Sequence, residues 1–201
     1  SLRRQRQMCI RDRPLTKDET QKITLLGFSS YYPVQGGDMG SSLVENTGTD
    51  ADTVDMVQAF KAKGFSMNQT VADMYEALQP TFKSEVQSWG GTIEYNHITA
   101  PSTTGVFSSK EPSQAALDGQ NATWKDSMND NNVMIVTIAR SASENGTYQP
   151  GTAGVDPTQN LNQTDPLGLS DDERDLINAA VTAKAANGGK VIVLLNNASA
   201  M

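Results

Sequence analysis

The chain is poor in the residues on which metal and thiol chemistry depend, with one cysteine, Cys9, and one histidine, His97, among 201 residues. A lone histidine with no thiol or second imidazole builds none of the usual zinc sets, so His97 reads as an ordinary loop residue and no metal is expected. No disulfide framework is available either, which leaves the compartment open between the two sides of a bacterial membrane. Aromatic residues are sparse at 6%, and no apolar run approaches the roughly 20 residues that span a bilayer. The apolar stretches near Ile23 and Val191 have the length of strands.

Positive charge is scarce too, and oddly placed. Ser1 to Arg13 holds five of the 16 basic residues and the sole cysteine. Translated backwards, Arg3 to Arg13 matches a transposon-type sequencing adapter read in frame. A basic nucleic-acid arm and the start of a signal peptide are the rival readings, but no apolar core follows for the latter. Residues 1–13 are therefore expected to be adapter-derived and non-native, and residues 14–201 to be the polypeptide proper. Without the opening, 11 basic residues face 22 acidic ones, a net charge of −11. That field argues against nucleic acid or an anionic membrane as partner.

What is present has an α/β cadence. Lys22 to Phe28 is a short apolar run suited to a strand buried on both faces, followed by a glycine-serine loop from Tyr31 to Glu45. Val54, Val57 and Phe60 recur at helical spacing, giving a helix over Thr53 to Lys63 with Asp52 as cap. A second helix is expected over Val71 to Leu78, its buried face made by Val71, Met74, Tyr75 and Leu78, capped at Gln69-Thr70 and closed by Pro80. Lys83 to Asn132 reads as irregular loops with a helix near Pro112 to Leu117.

Val133 to Ala139 is the clearest strand, ending in Arg140 and a long polar loop from Ser141 to Gly168. Ser170 and Glu173 form a capping box for a helix with Leu176, Ile177, Ala180 and Val181 as its buried stripe and Gly188 as its end. Capping alone accounts for the Asp171-Asp172-Glu173 cluster. Val191 to Leu195 is another buried strand. Strands joined through helices imply a mostly parallel sheet covered by helices, and further β-α units are expected beyond Met201.

In such sheets ligands bind outside the carboxyl ends of the strands, which makes the loops after Phe28 and Ala139 the candidate sites. The first lacks a Gly-x-Gly-x-x-Gly fingerprint and a following lysine, so nucleotide binding is disfavoured. Trp89, Tyr95, Phe107 and Trp124 have faces for sugar stacking, though packing of a loop-rich region is the favoured reading of each.

Arg140-Ser141-Ala142-Ser143-Glu144-Asn145-Gly146, with Leu169-Ser170-Asp171-Asp172-Glu173 downstream and Gly36-Gly37-Asp38-Met39-Gly40-Ser41 upstream, resembles the C-terminal α/β-sandwich domain of glycoside hydrolase family 3. The order of these motifs agrees from Ile23 to Met201, and β-glucosidase-like members are the nearest in pattern. Ser143 and Asn145 stand where that family usually has glycines, and Asp38-Met39 and Ser42 also depart from it.

The resemblance implies a truncated (α/β)6 sandwich that takes part in hydrolysing β-linked glycosides or oligosaccharides, without a cofactor. It implies that Glu144 is the catalytic acid/base and that Ser41 touches the bound sugar. The nucleophile is then an aspartate on a preceding (β/α)8 barrel of the same protein; its customary Ser-Asp-Trp setting does not occur in this chain. The alternative is a non-catalytic carbohydrate-binding or structural α/β module.

Overall fold

The computed structural model describes residues 15, 20, 22–33, 54–82, 84–88, 91–95, 106–108, 111–130, 132–142 and 168–197, by main chain alone at 84–88, 91–95, 106–108, 141–142 and 187. Its centre is a sheet of parallel strands. Strand β1, Lys22–Leu26, pairs on one side with the short β2, Ser66–Met67. On its other side lies β6, Val133–Ala142, in the register Ile23 to Val133 through Leu26 to Val136. Strand β7, Lys190–Asn197, runs parallel along the far side of β6.

A short strand β5, Val106–Ser108, pairs antiparallel with the last residues of β6, Arg140 to Ala142. Strands β3, Ser84–Ser88, and β4, Gly91–Tyr95, form a separate antiparallel hairpin. The hairpin and β5 occupy ground that the sequence suggested was irregular. All three strands are short: SEVQS and GTIEY are largely polar, and the three residues VFS are too few to show a period.

The two faces of the central sheet carry separate cores. Ile23, Leu25, Val133 and Ile135 project to one side and pack against Met56, Val57 and Phe60 of α1, Met56–Ala62. Leu26, Met134, Val136 and Ile138 project to the other. There they meet Val71, Met74, Tyr75 and Leu78 of α2, Gln69–Leu78, Leu117 of α3, Gln114–Gln120, and Leu176, Ala180 and Ala183 of α4, Asp171–Asn187. The fold is therefore α/β, a mostly parallel sheet with helices on both faces, and the near-continuous apolar runs of β1 and β6 follow from that double coverage.

Several local expectations shift. Helix α1 starts later than its spacing suggested, with Asp55 and not Asp52 accepting from the Gln58 N–H at 2.6 Å. Val54 falls outside the helix and is exposed. Asn68, not Gln69-Thr70, caps α2. Its buried amide also donates to Thr24 Oγ1 at 3.1 Å and to Ser127 Oγ at 3.0 Å, tying β1 to the turn after α3. As expected, α2 ends at Leu78 ahead of Pro80, and the chain then tightens into a 3-10 turn over Gln79–Phe82.

Helix α4 has the foreseen capping box and a left-handed Gly188 at its end, φ 70°. Val181 is exposed, however, and Ala183 replaces it in the buried stripe. Strand β7 is not buried as its composition suggested: Val193, Leu194 and Leu195 all stand exposed. It has β6 on one flank and no further strand among the described residues on the other. No helix among the described residues is long and apolar enough to cross a membrane.

Candidate functional site

Strand β1 ends beside Val136 of β6, and the polar groups gathered around that exit are buried. At the end of β1 the chain turns on Gly27, φ 91°, into a 3-10 turn over Phe28–Ser30. A side chain on Gly27 would run into the carbonyl oxygen of Thr137 on β6, so glycine lets the two strands stay close as the chain turns away. The Ser30 hydroxyl bridges the Leu26 carbonyl (2.8 Å) and the Thr137 hydroxyl (2.7 Å). Tyr31 donates to the Leu25 carbonyl at 2.9 Å and stacks on Tyr75 at 4.7 Å; burial, with the Tyr32 and Asp73 charges adding to it, pushes its hydroxyl pKa up.

Beneath this turn sits Glu111, in the segment that leads into α3. It receives the Phe28 N–H on both carboxyl oxygens, at 2.9 and 3.1 Å, and lies 3.2 Å from the Tyr75 hydroxyl. Tyr75 in turn accepts the Gly27 N–H at 2.9 Å. Burial pushes the Glu111 carboxyl up to about 8; the Phe28 hydrogen bond opposes this and the nearby Glu173 charge adds to it. Burial, with the Glu111 charge second, raises Tyr75 well above its ordinary value.

The second polar group closes the end of β6. Arg140 is fully buried, and its two terminal nitrogens reach the two carboxyl oxygens of Glu173 at 2.7 and 2.9 Å. The same nitrogens donate to the carbonyls of Ala139 (2.7 Å) and Gly168 (2.6 Å). Glu173 also takes the Ser170 N–H at 2.9 Å, while its own N–H donates to Ser170 Oγ at 3.2 Å. A planar fork meeting a planar carboxylate is the arrangement in which a buried ion pair recovers most of its desolvation cost. Among the described residues, the Arg140 Nε–H has no hydrogen-bond partner.

Two readings of the sequence are corrected here. Arg140 does not begin a loop, since β6 continues through it to Ala142. Glu173 is not a cap alone: the capping box forms, and the same carboxylate anchors Arg140 across 33 residues of chain. Tyr75, foreseen only as part of a helix face, is also a polar link in the turn after β1.

Nothing in the sequence pointed to Glu111, because a single glutamate ahead of a proline matches no spacing rule. Trp124 is buried, donates to Asp118 at 2.8 Å and lies under Lys125, so packing accounts for it. Glu144, Ser41, His97 and Trp89 lie outside the described residues, as do the side chains of Tyr95 and Phe107. Glu144 is two residues beyond the end of β6. Among the described residues, no group of three histidine, cysteine, aspartate or glutamate side chains is placed to hold a metal ion.

Compared with known proteins, the chain matches no family model and shows no significant similarity to any curated protein.

Proposed function

We propose that the chain forms the acid/base half of a retaining β-glycosidase site, with β-glucosides as the substrate class and the nucleophile on a partner (β/α)8 barrel. The observation that carries the reading is the Arg140–Glu173 bridge. It joins residues of two of the three motifs behind the resemblance, Arg140 to Gly146 and Leu169 to Glu173, which flank Glu144 in sequence. Glu144 comes two residues after the carboxyl end of β6, the end at which parallel α/β sheets bind ligands.

In the proposed reaction, Glu144 is protonated and gives its proton to the glycosidic oxygen as that bond breaks. The barrel aspartate attacks the anomeric carbon from the opposite face to form a glycosyl ester. Glu144, now a carboxylate, takes a proton from the water that releases the sugar. Two carboxyl groups about 5–5.5 Å apart serve this chemistry only if their environments separate their pKa values. Ser41, which follows β1 in sequence, supplies a hydrogen bond to a sugar hydroxyl.

The test uses the chain joined to its barrel partner. Glu144→Gln is expected to slow cleavage of glycosides with poor leaving groups by about 10²–10⁴-fold, the usual contribution of a general acid. Substrates whose leaving group needs no proton should be spared in the first step. Equal losses on both classes would exclude Glu144 as the acid, and hydrolysis of aryl glucosides by the 201-residue chain alone would refute the two-domain site.

A further inference from the structure

We propose that Glu111, acting as an uncharged acid together with Tyr75, is the positioning group that fixes where the main chain leaves β1, ahead of the segment that contains Ser41. Two consecutive amides at that exit, Gly27 and Phe28, are satisfied by side chains from outside the strand, at 2.9 Å to Tyr75 and 2.9 Å to Glu111. Neither amide has a strand partner, because β1 ends at Leu26. The main-chain direction at this point therefore depends on a carboxyl and a phenol fixed by contacts 83 and 48 residues away in sequence.

An uncharged state follows from the surroundings. Glu111 is 7% exposed, and no lysine or arginine among the described residues pairs with it. The titratable groups facing it are Tyr75 from α2 and the acidic Glu173 and Asp172 from the start of α4. The buried cation among the described residues, Arg140, is already engaged by both oxygens of Glu173. A carboxylate here would be buried without a counter-ion and among like charges, an arrangement that drives proton uptake. The neutral acid keeps both contacts, since one oxygen accepts the Phe28 N–H and the other shares a proton with the Tyr75 hydroxyl.

Ionisation would set a negative charge against the aromatic cluster of Phe28, Tyr31, Tyr75 and Phe82, and the exit of β1 would have to rearrange to admit water. The effect on sugar binding rests on the glycosidase reading, whereas the clamp itself does not.

The experiment is a ¹³C and ¹⁵N NMR titration of the 201-residue chain. The Glu111 side-chain carboxyl is expected to titrate near 8, well above the ordinary 4.5, and the Gly27 and Phe28 amides to shift through the same midpoint. In Glu111→Gln, which preserves an acceptor for Phe28 without the charge, those two amides should hold their low-pH positions throughout. A Glu111 midpoint in the ordinary carboxylate range overturns the proposal, and the wild-type titration decides this even if the variant fails to fold. Gly27 and Phe28 amides that ignore the Glu111 midpoint overturn it as well. If the titration behaves as expected while the chain joined to its barrel cleaves no glycoside, the clamp stands and the glycosidase reading falls.

Discussion

Removing Glu173 tests the junction on which the candidate site depends. In Glu173→Ala the Arg140 guanidinium stays buried and keeps only the Ala139 and Gly168 carbonyls, losing both carboxylate contacts. Breaking one side of a buried pair costs about 3–5 kcal/mol, most of it from the charge left without a partner. The Ser170 N–H loses its acceptor as well, although Ser170 Oγ still caps α4. For a chain of this size a loss of about 4 kcal/mol lowers Tm by roughly 8–16 °C.

The informative comparison is a double-mutant cycle by urea unfolding, with Arg140→Met, Glu173→Leu and the two combined. Apolar replacement of both partners removes the orphaned charge, so the double variant should recover most of what either single variant loses. The expected coupling is at least about 2 kcal/mol. Additive losses, or a single-variant loss below about 1 kcal/mol, would show that the pair does not hold β6 to α4 and would remove the main structural support for the site.

Gly27→Ala is expected to destabilise by about 1–3 kcal/mol, because the positive φ and the Thr137 carbonyl both oppose a Cβ; unchanged unfolding in urea would contradict the packing of β1 on β6. Glu111 also imposes a direction on stability against pH. Its folded-state pKa of about 8 exceeds the ordinary 4.5 of the unfolded chain, so the fold binds the extra proton between those values. Stability from this group is whole below pH 4.5 and is lost as pH rises through about 8, on the order of 5 kcal/mol at most. Melting curves from pH 5 to 9 should show that fall in the wild type and a flatter profile in Glu111→Gln.

The elements that could be read from the sequence are those whose signal is local. The runs of β1 and β6, the face of α2 and the capping box of α4 are each specified by residues within a few positions of one another, and the parallel α/β arrangement follows from their order. Short strands such as β3, β4 and β5 exist because a neighbour is in register with them, and their own residues carry little of that information. The exposure of Val193, Leu194 and Leu195 was hidden for the same reason: an apolar run reports a strand, not which neighbours cover it.

The same division separates the parts of the candidate site. Glu144 and Ser41 were singled out by motif, from residues adjacent in the chain. The Arg140–Glu173 bridge and the Glu111–Tyr75 clamp join groups 33 and 36 residues apart. Burial decides their chemistry: out of water, an arginine must find a carboxylate and a carboxyl without a cation must keep its proton. Sequence alone determined the fold class and the residues with which to look for chemistry. Only the tertiary structure decided which charges are buried together, because desolvation depends on what surrounds a group in space.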